Sequence, residues 1–246
     1  MNNTNYHNWN QMQESAVDSA AYTKTFMAQV FGWMSGALVV SALTSYLFAF
    51  VPSLTELIFT YYHGEVAGYT TAGWIALFAP IVFVFIIVSG VNRLPFPMLV
   101  LAFLFYSALT GVTLSVIFFR YDMGSIGATF FIAAGMFATM AVMGWITKAD
   151  LSGFGRIMMM GLIGIVIASI VNFFMQSTGL YYIISFVGVA VFTGLTAYDV
   201  QKLKQIGAAQ SDSNTAARQS ILGALTLYLD FINLFLFLLR LLGNRR

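Results

Sequence analysis

The chain has 246 residues, 59% of them hydrophobic and 8% charged, with a formal net charge of +2 at pH 7. A soluble domain carries about 25% charged residues, so the composition excludes an ordinary soluble fold, and the small, scattered charge argues against a nucleic-acid partner. There are no cysteines, which removes disulfides, thiolate metal ligands and a thiol nucleophile.

Residues 1–25 form a polar segment with Glu14 and Asp18, read as a cytoplasmic tail. It lacks the basic start and cleavage site of a signal peptide, so the first apolar run is expected to be retained. A bilayer core takes about 20 apolar residues per helix. Runs of that kind lie at about 26–50, 73–91, 97–119, 125–147, 154–175, 180–200 and 221–242, separated by breaks rich in Pro, Gly or charge. The pattern predicts an all-α membrane protein, a seven-transmembrane helix bundle within residues 26–246. Pro80 predicts a kink in the second span, and Pro95 and Pro97 favour a tight, extended connection into the third.

Orientation follows from Lys and Arg in the short loops. With the N-terminus cytoplasmic, one side holds Lys24, Arg93, Lys148, Arg156, Lys202, Lys204 and Arg218, against Arg120 on the other. The C-terminal Arg240, Arg245 and Arg246 then fall outside if all seven segments cross. The sequence is compatible with a last segment that crosses fully or one that dips in and returns.

Two aspartates interrupt apolar runs: Asp199 ends YYIISFVGVAVFTGLTAYD, and Asp230 lies within ILGALTLYLDFINLFLFLL. A carboxylate at the bilayer centre costs roughly 2.5–3.5 kcal/mol on insertion scales, so such groups face protein or water and mark function by default. Gly223, Thr226, Asp230 and Asn233 share one helix face by their spacing. Thr196 and Asp199 sit at i, i+3, with Ser185 and Gly188 on a similar face. Small residues also mark the first span (Gly32, Ser35, Gly36), where intramolecular packing is expected, and the third (Ser107, Gly111, Ser115). With the tail inside, Asp230 lies about 14 Å into the last span at about 1.5 Å per residue. Asp199 and Arg93 come from other spans to the same half of the bundle. Two carboxylates close together in a low-dielectric site cannot both ionise cheaply, so one proton is shared between them. When deprotonated, such a pair suits a hard cation such as Ca²⁺, bound weakly because two carboxylates are too few for a tight cage.

Other candidates are weaker. His7 and His63 lie far apart in a tail and a loop, so no His metal site is expected. Met158, Met159 and Met160 read as packing or lipid-facing residues, and Glu56 and Glu65 as solvated loop carboxylates. No nucleotide loop, HExxH or nucleophile elbow is present, so neither an enzyme nor an organic cofactor is expected.

The stretches AYDVQKLK (197–204) and LYLDFINLFLFLLR (227–240) resemble the transmembrane Bax inhibitor motif family in its bacterial branch, with support from FMAQVFGWM (26–34) and SALTGVTLS (107–115). The resemblance implies a seven-helix bundle with the last helix central, in a bacterial inner membrane. It also implies a pH-sensitive Ca²⁺ leak channel whose gate and transient cation site are the pair Asp199 and Asp230. A family arginine that latches the sixth-helix aspartate in the closed state falls on Arg93, counting back from the GVTL motif. The partners implied are the lipid bilayer, Ca²⁺ and protons. The family is also linked to restraint of cell death and, in some bacterial members, to a membrane protease. The rival reading is therefore a non-conducting regulator of a protease or stress-signalling complex, with residues 1–25 and the 201–220 loop making the contacts. A proton-coupled transporter is a third class, but no inverted repeat or paired broken helices are evident.

Overall fold

The computed structural model describes residues 3–62, 65–209 and 212–245, with side chains described from residue 21 onward except at 65. Helix α1 covers Asn3–Phe50 and is followed by the short α2 (Pro52–Ile58), with Pro52 in its first turn, where a missing N–H is harmless. Strands β1 (Phe59–Tyr62) and β2 (Glu65–Tyr69) form an antiparallel hairpin with a register irregularity at Thr60 and Tyr61. The remaining helices are α3 (Thr71–Gly90), α4 (Phe96–Leu114), α5 (Ile117–Arg120), α6 (Met123–Ile146), α7 (Ser152–Met175), α8 (Thr178–Ala209) and α9 (Ser213–Leu242). Seven helical stretches are long and apolar enough to cross a membrane, with α4 and α5 together making one of them. The protein is an all-helical, seven-span bundle. The polar segment 1–25 is not a separate unit in the backbone, because α1 already begins at Asn3. His63 and the side chains of His7, Glu14, Asp18 and Glu65 lie outside the described residues.

The ends of the helices follow local chemistry. Thr70 caps α3: its Oγ1 accepts from the Gly73 N–H at 3.0 Å and donates to the Leu57 carbonyl at 2.6 Å. The span expected at 97–119 is interrupted at its polar residue. The Ser115 N–H is shared between the carbonyls of Gly111 and Val112, while its hydroxyl donates to Val112 O at 2.6 Å. That local competition tightens the last turn and ends α4. Pro80 lies inside α3, which remains helical from Thr71 to Gly90. The described residues between the first two spans form a short helix and two paired strands where the sequence reads as a loop. Phe59 is buried and packs its ring against Tyr69 and Phe119, both at 5.3 Å, fastening the hairpin to the end of α5.

In lipid, helices associate by close packing and interhelical hydrogen bonds rather than by expulsion of water. The burial pattern shows which helix is central. Of the apolar stretch of α9, 67% is buried inside the bundle, against 11% for α3 and 6% for α7. Helix α9 packs against α1, α4, α6 and α8, while α3 lies on α4 and α7 lies on α8. Two of the six surrounding helices thus form an outer layer facing lipid. Glycines set the tightest approaches: a Cβ on Gly111 would stand 2.5 Å from the Ser41 carbonyl of α1, and one on Gly144 of α6 would overlap the Ala197 carbonyl of α8. Gly32, Ser35 and Gly36 behave otherwise. They lie on an exposed face of α1 and nothing approaches the two glycines, so the expected intramolecular packing there is not made.

The end of α9 settles how the last segment runs. Gly243–Arg245 lies along the α5–α6 junction, with Asp122 N–H donating to Asn244 O at 3.1 Å, Asn244 N–H donating to Ser125 Oγ at 2.8 Å, and a bridge between Tyr121 and Arg245. Helix α9 therefore traverses the bundle once and does not turn back.

Candidate functional site

The site begins with the local packing of residues 194–204 in α8. Gly144 lets α6 approach at Ala197, and Gly155 lets α7 lie against the Tyr198 ring, so both neighbours close around the residues just before Asp199. One turn further, Gln201 and Lys204 hold the α6–α7 connection. The Gln201 amide donates to Ala149 O at 2.8 Å and Thr147 O at 3.3 Å, and its carbonyl accepts from Leu151 N–H at 2.9 Å. Lys204 Nζ donates to Trp145 O at 2.7 Å and stands 5.2 Å from the centre of that indole ring. These two contacts were not anticipated from the sequence. The signal was the polar run QKLK in a helical register, but its partners lie fifty or more residues away.

On α9, Asp230 is held from the preceding turn. Tyr228 is fully buried, and its hydroxyl lies 2.6 Å from Ser41 Oγ, which itself donates to the Ser107 carbonyl at 2.7 Å. Because Ser41 has one hydrogen and spends it on a carbonyl, Tyr228 is the donor between them. The rings of Tyr106 and Phe103 meet Tyr228 edge-on at 5.7 and 6.2 Å. Tyr228 thus ties α9 to both α1 and α4 two residues before the aspartate. It reads in sequence as one more aromatic of an apolar helix, which is why it was missed. The other members of the polar stripe are satisfied by their own helix: Thr226 donates to Leu222 O and Asn233 to Leu229 O.

These supports bring Asp199 and Asp230 together. Their carboxyls lie within hydrogen-bonding reach of each other, and Lys202 is the cation near enough to act on Asp199. Asp230 is 4% exposed, Asp199 is half-buried, and Asp230 Oδ2 has no hydrogen-bond partner among the described residues. Two ionised carboxylates have no hydrogen between them to share; a single proton converts the contact into an O–H···O bond and supplies the missing donor. Depth differs from the sequence estimate. Helix α8 continues to Ala209 and α9 starts at Ser213, which places Asp199 about 15 Å from its helix end and Asp230 about 26 Å from its helix start, at about 1.5 Å per residue.

Arg93 is not part of this group. It lies exposed in the turn after α3, and that turn is bound by Arg218, which donates to Leu94 O at 2.9 Å and Val91 O at 3.4 Å. Arg218 precedes Asp230 by about 18 Å of helix, farther than an arginine side chain spans. Among the described residues no three of His, Asp and Glu cluster as a metal site.

A seven-span helical bundle with its most buried helix contributing one half of a carboxyl pair defines an integral-membrane protein with an internal acidic site. Comparison with known proteins specifies it further. Residues 23–246 match the family described as "Inhibitor of apoptosis-promoting Bax1", and the chain belongs to that family. It is 45% identical to "Inner membrane protein YbhL" of Escherichia coli K12 over 235 residues, covering 95% of this chain and 97% of the relative. It is also 44% identical to an uncharacterized protein of Borreliella burgdorferi, covering 90% of this chain and 92% of the relative. An uncharacterized membrane protein of Streptococcus pyogenes is 34% identical, covering 92% and 98%.

Proposed function

We propose that this protein sits in a bacterial inner membrane with its N-terminus cytoplasmic and acts as a pH-sensitive cation leak, Ca²⁺ being the permeant ion. The observation that carries the reading is the Asp199–Asp230 contact between α8 and α9, with Asp230 buried and one of its oxygens without a donor. With one proton shared, the carboxyls bond to each other and hold the two helices together. With none, they repel, and two carboxylates face whatever cation can reach them. Ca²⁺ takes about 6–8 oxygen ligands, more than this pair supplies, so the ion keeps much of its water and passes rather than stays. The protein's part is to place the pair, through Gly144, Gly155 and Tyr228, and to keep its surroundings apolar. A closing contact between Arg93 and Asp199 belongs to a second conformation, reached only if the 91–95 turn leaves Arg218.

The test is Ca²⁺ uptake into liposomes holding the purified protein at mildly acidic, neutral and mildly alkaline pH. Wild type shows a flux that changes with pH, and Asp230→Asn loses that change because an amide donates to Asp199 at every pH. No flux above protein-free vesicles at any pH sinks the channel reading. The second reading, a non-conducting regulator of a membrane protease or of a stress or cell-death pathway, is favoured by the family description, which names an inhibitor. Removing residues 1–20 separates the two: flux survives if the bundle conducts, and regulation fails if the tail makes the contacts.

A further inference from the structure

At the end of the bundle where α9 terminates lies a cavity of about 530 Å³ between α3, α4, α5, α7, α8 and α9, with β2 at its rim. That is within the range of about 300–1,000 Å³ typical of ligand sites. Its walls are largely Leu, Ile and Phe, and its charge is one-sided: the guanidiniums of Arg120 and Arg240, beside the neutral Asn172, Ser169, Thr113, Tyr69, Tyr121 and Tyr181, with no carboxylate among the lining residues. Asp122, the nearest acid along the chain, stands at the start of α6 outside that lining.

The cavity brings two guanidiniums to one lining with no carboxylate there to neutralise them. Arg240 is half-buried and lies over the rings of Tyr181 at 5.6 Å and Phe237 at 5.2 Å, which hold its plane. Among the described residues neither Arg240 nor Arg120 hydrogen-bonds a carbonyl or carboxylate. The Tyr181 hydroxyl already accepts from Arg245 at 2.7 Å, and Asn172 Oδ1 accepts from Ser177 N–H at 3.0 Å, which turns the Asn172 amide so that its NH₂ is left to donate. A guanidinium is a planar fork of donors matched to phosphate oxygens, and two of them in a partly apolar cavity call for an oxyanion.

We propose that this cavity binds a phosphate-type oxyanion, held by Arg120 and Arg240 and assisted by Asn172, whether it arrives as the phosphodiester of an anionic lipid or as free phosphate. The apolar walls suit the glycerol and first methylenes of a lipid; the donor set suits either source. Arg240 lies ten residues beyond Asp230 on α9, about 15 Å, so occupancy does not depend on whether the aspartate pair conducts.

The experiment uses the full chain in neutral detergent, in two arms. Melting is followed during titration with inorganic phosphate at constant ionic strength, and native mass spectrometry compares retention of phosphatidylglycerol with phosphatidylcholine. Wild type is expected to retain phosphatidylglycerol severalfold over phosphatidylcholine or to show a saturable rise in melting temperature with phosphate. The first result assigns a lipid headgroup and the second a soluble oxyanion. Arg120→Gln, at an exposed position, and Arg240→Gln are each expected to abolish the effect, while Arg240→Lys, with an unliganded melting temperature equal to wild type, keeps part of it. Absence of both effects in wild type, or their persistence in the two glutamine variants, overturns the assignment.

Discussion

At the scale of single residues, the internal pair has to be separated from the loop carboxylates before any pH response is interpreted. Asp212 caps α9: it accepts from Thr215 Oγ1 at 2.7 Å and from the N–H groups of Thr215 at 2.9 Å and Asn214 at 3.3 Å. The Thr215 hydroxyl, then these N–H groups, hold it below the ordinary carboxylate value of 3.8. Asp150 is lowered in the same way by the Ser152 side chain and N–H. A carboxyl depressed in the folded state stabilises it above the unfolded value and loses that effect as pH falls through the folded one. The Asp212 cap and the Asp150 contact therefore stay intact from about pH 5 to 8 and fail only in acid below the ordinary carboxylate value. Hydrogen exchange at the start of α9 should stay constant across the neutral range and rise only at strongly acidic pH. A rise near neutrality would mean that the cap, and not the internal pair, is the pH-sensitive element.

At the scale of elements, backbone contact between helices decides which glycines matter. Gly144 and Gly135 both lie in α6, yet only Gly144 meets another backbone, at Ala197, while nothing lies within 4 Å of a Cβ at Gly135. A carbonyl cannot swing aside as a side-chain tip does, so Gly144→Ala should destabilise by about 1–3 kcal/mol, the usual range for overpacking. Gly135→Ala should be neutral or stabilising, by at most about 1 kcal/mol of helix propensity. Melting temperatures of the two variants in one detergent check this. Equal effects would mean that α6 does not approach α8 at this point. The same reasoning explains why the first-span small residues misled. A Gly-xxx-Gly face records where a close approach is permitted, and Gly32 and Gly36 are permitted one that the chain does not make.

At the scale of the whole molecule, the single traverse of α9 has a topological consequence. The start of α9 lies at the end of the bundle with the α6–α7 connection, whereas the start of α6 lies at the end with Gly243–Arg245. The chain has no cysteine, so single replacements give a clean reading. In intact cells, Gly124→Cys should react with an impermeant maleimide and Ser213→Cys only after permeabilisation. Reaction of both from one side would contradict seven crossings. The cytoplasmic excess of Lys and Arg then sits at the end of the bundle where α9 begins. Arg240 and Arg245 stand at the other end, with their guanidiniums against aromatic rings.

The amino-acid sequence by itself determined the helices and the acidic residues that had to face inward, because apolar length and the cost of a carboxylate in lipid are properties of a local stretch. Seven spans follow from apolar length, and the shared face of Gly223, Thr226, Asp230 and Asn233 from periodicity. What needed the tertiary structure was every contact whose partners lie far apart in the chain: Asp199 against Asp230, Gln201 across fifty residues to Leu151, and Tyr228 across the bundle to Ser41. Arg93 shows the difference most plainly. Its position at the end of a span was legible, but whether it met Asp199 depended on how α3 ends and on Arg218 holding that turn. Periodicity states which way a side chain points from its own helix; only the packing of one helix against another states what it meets there.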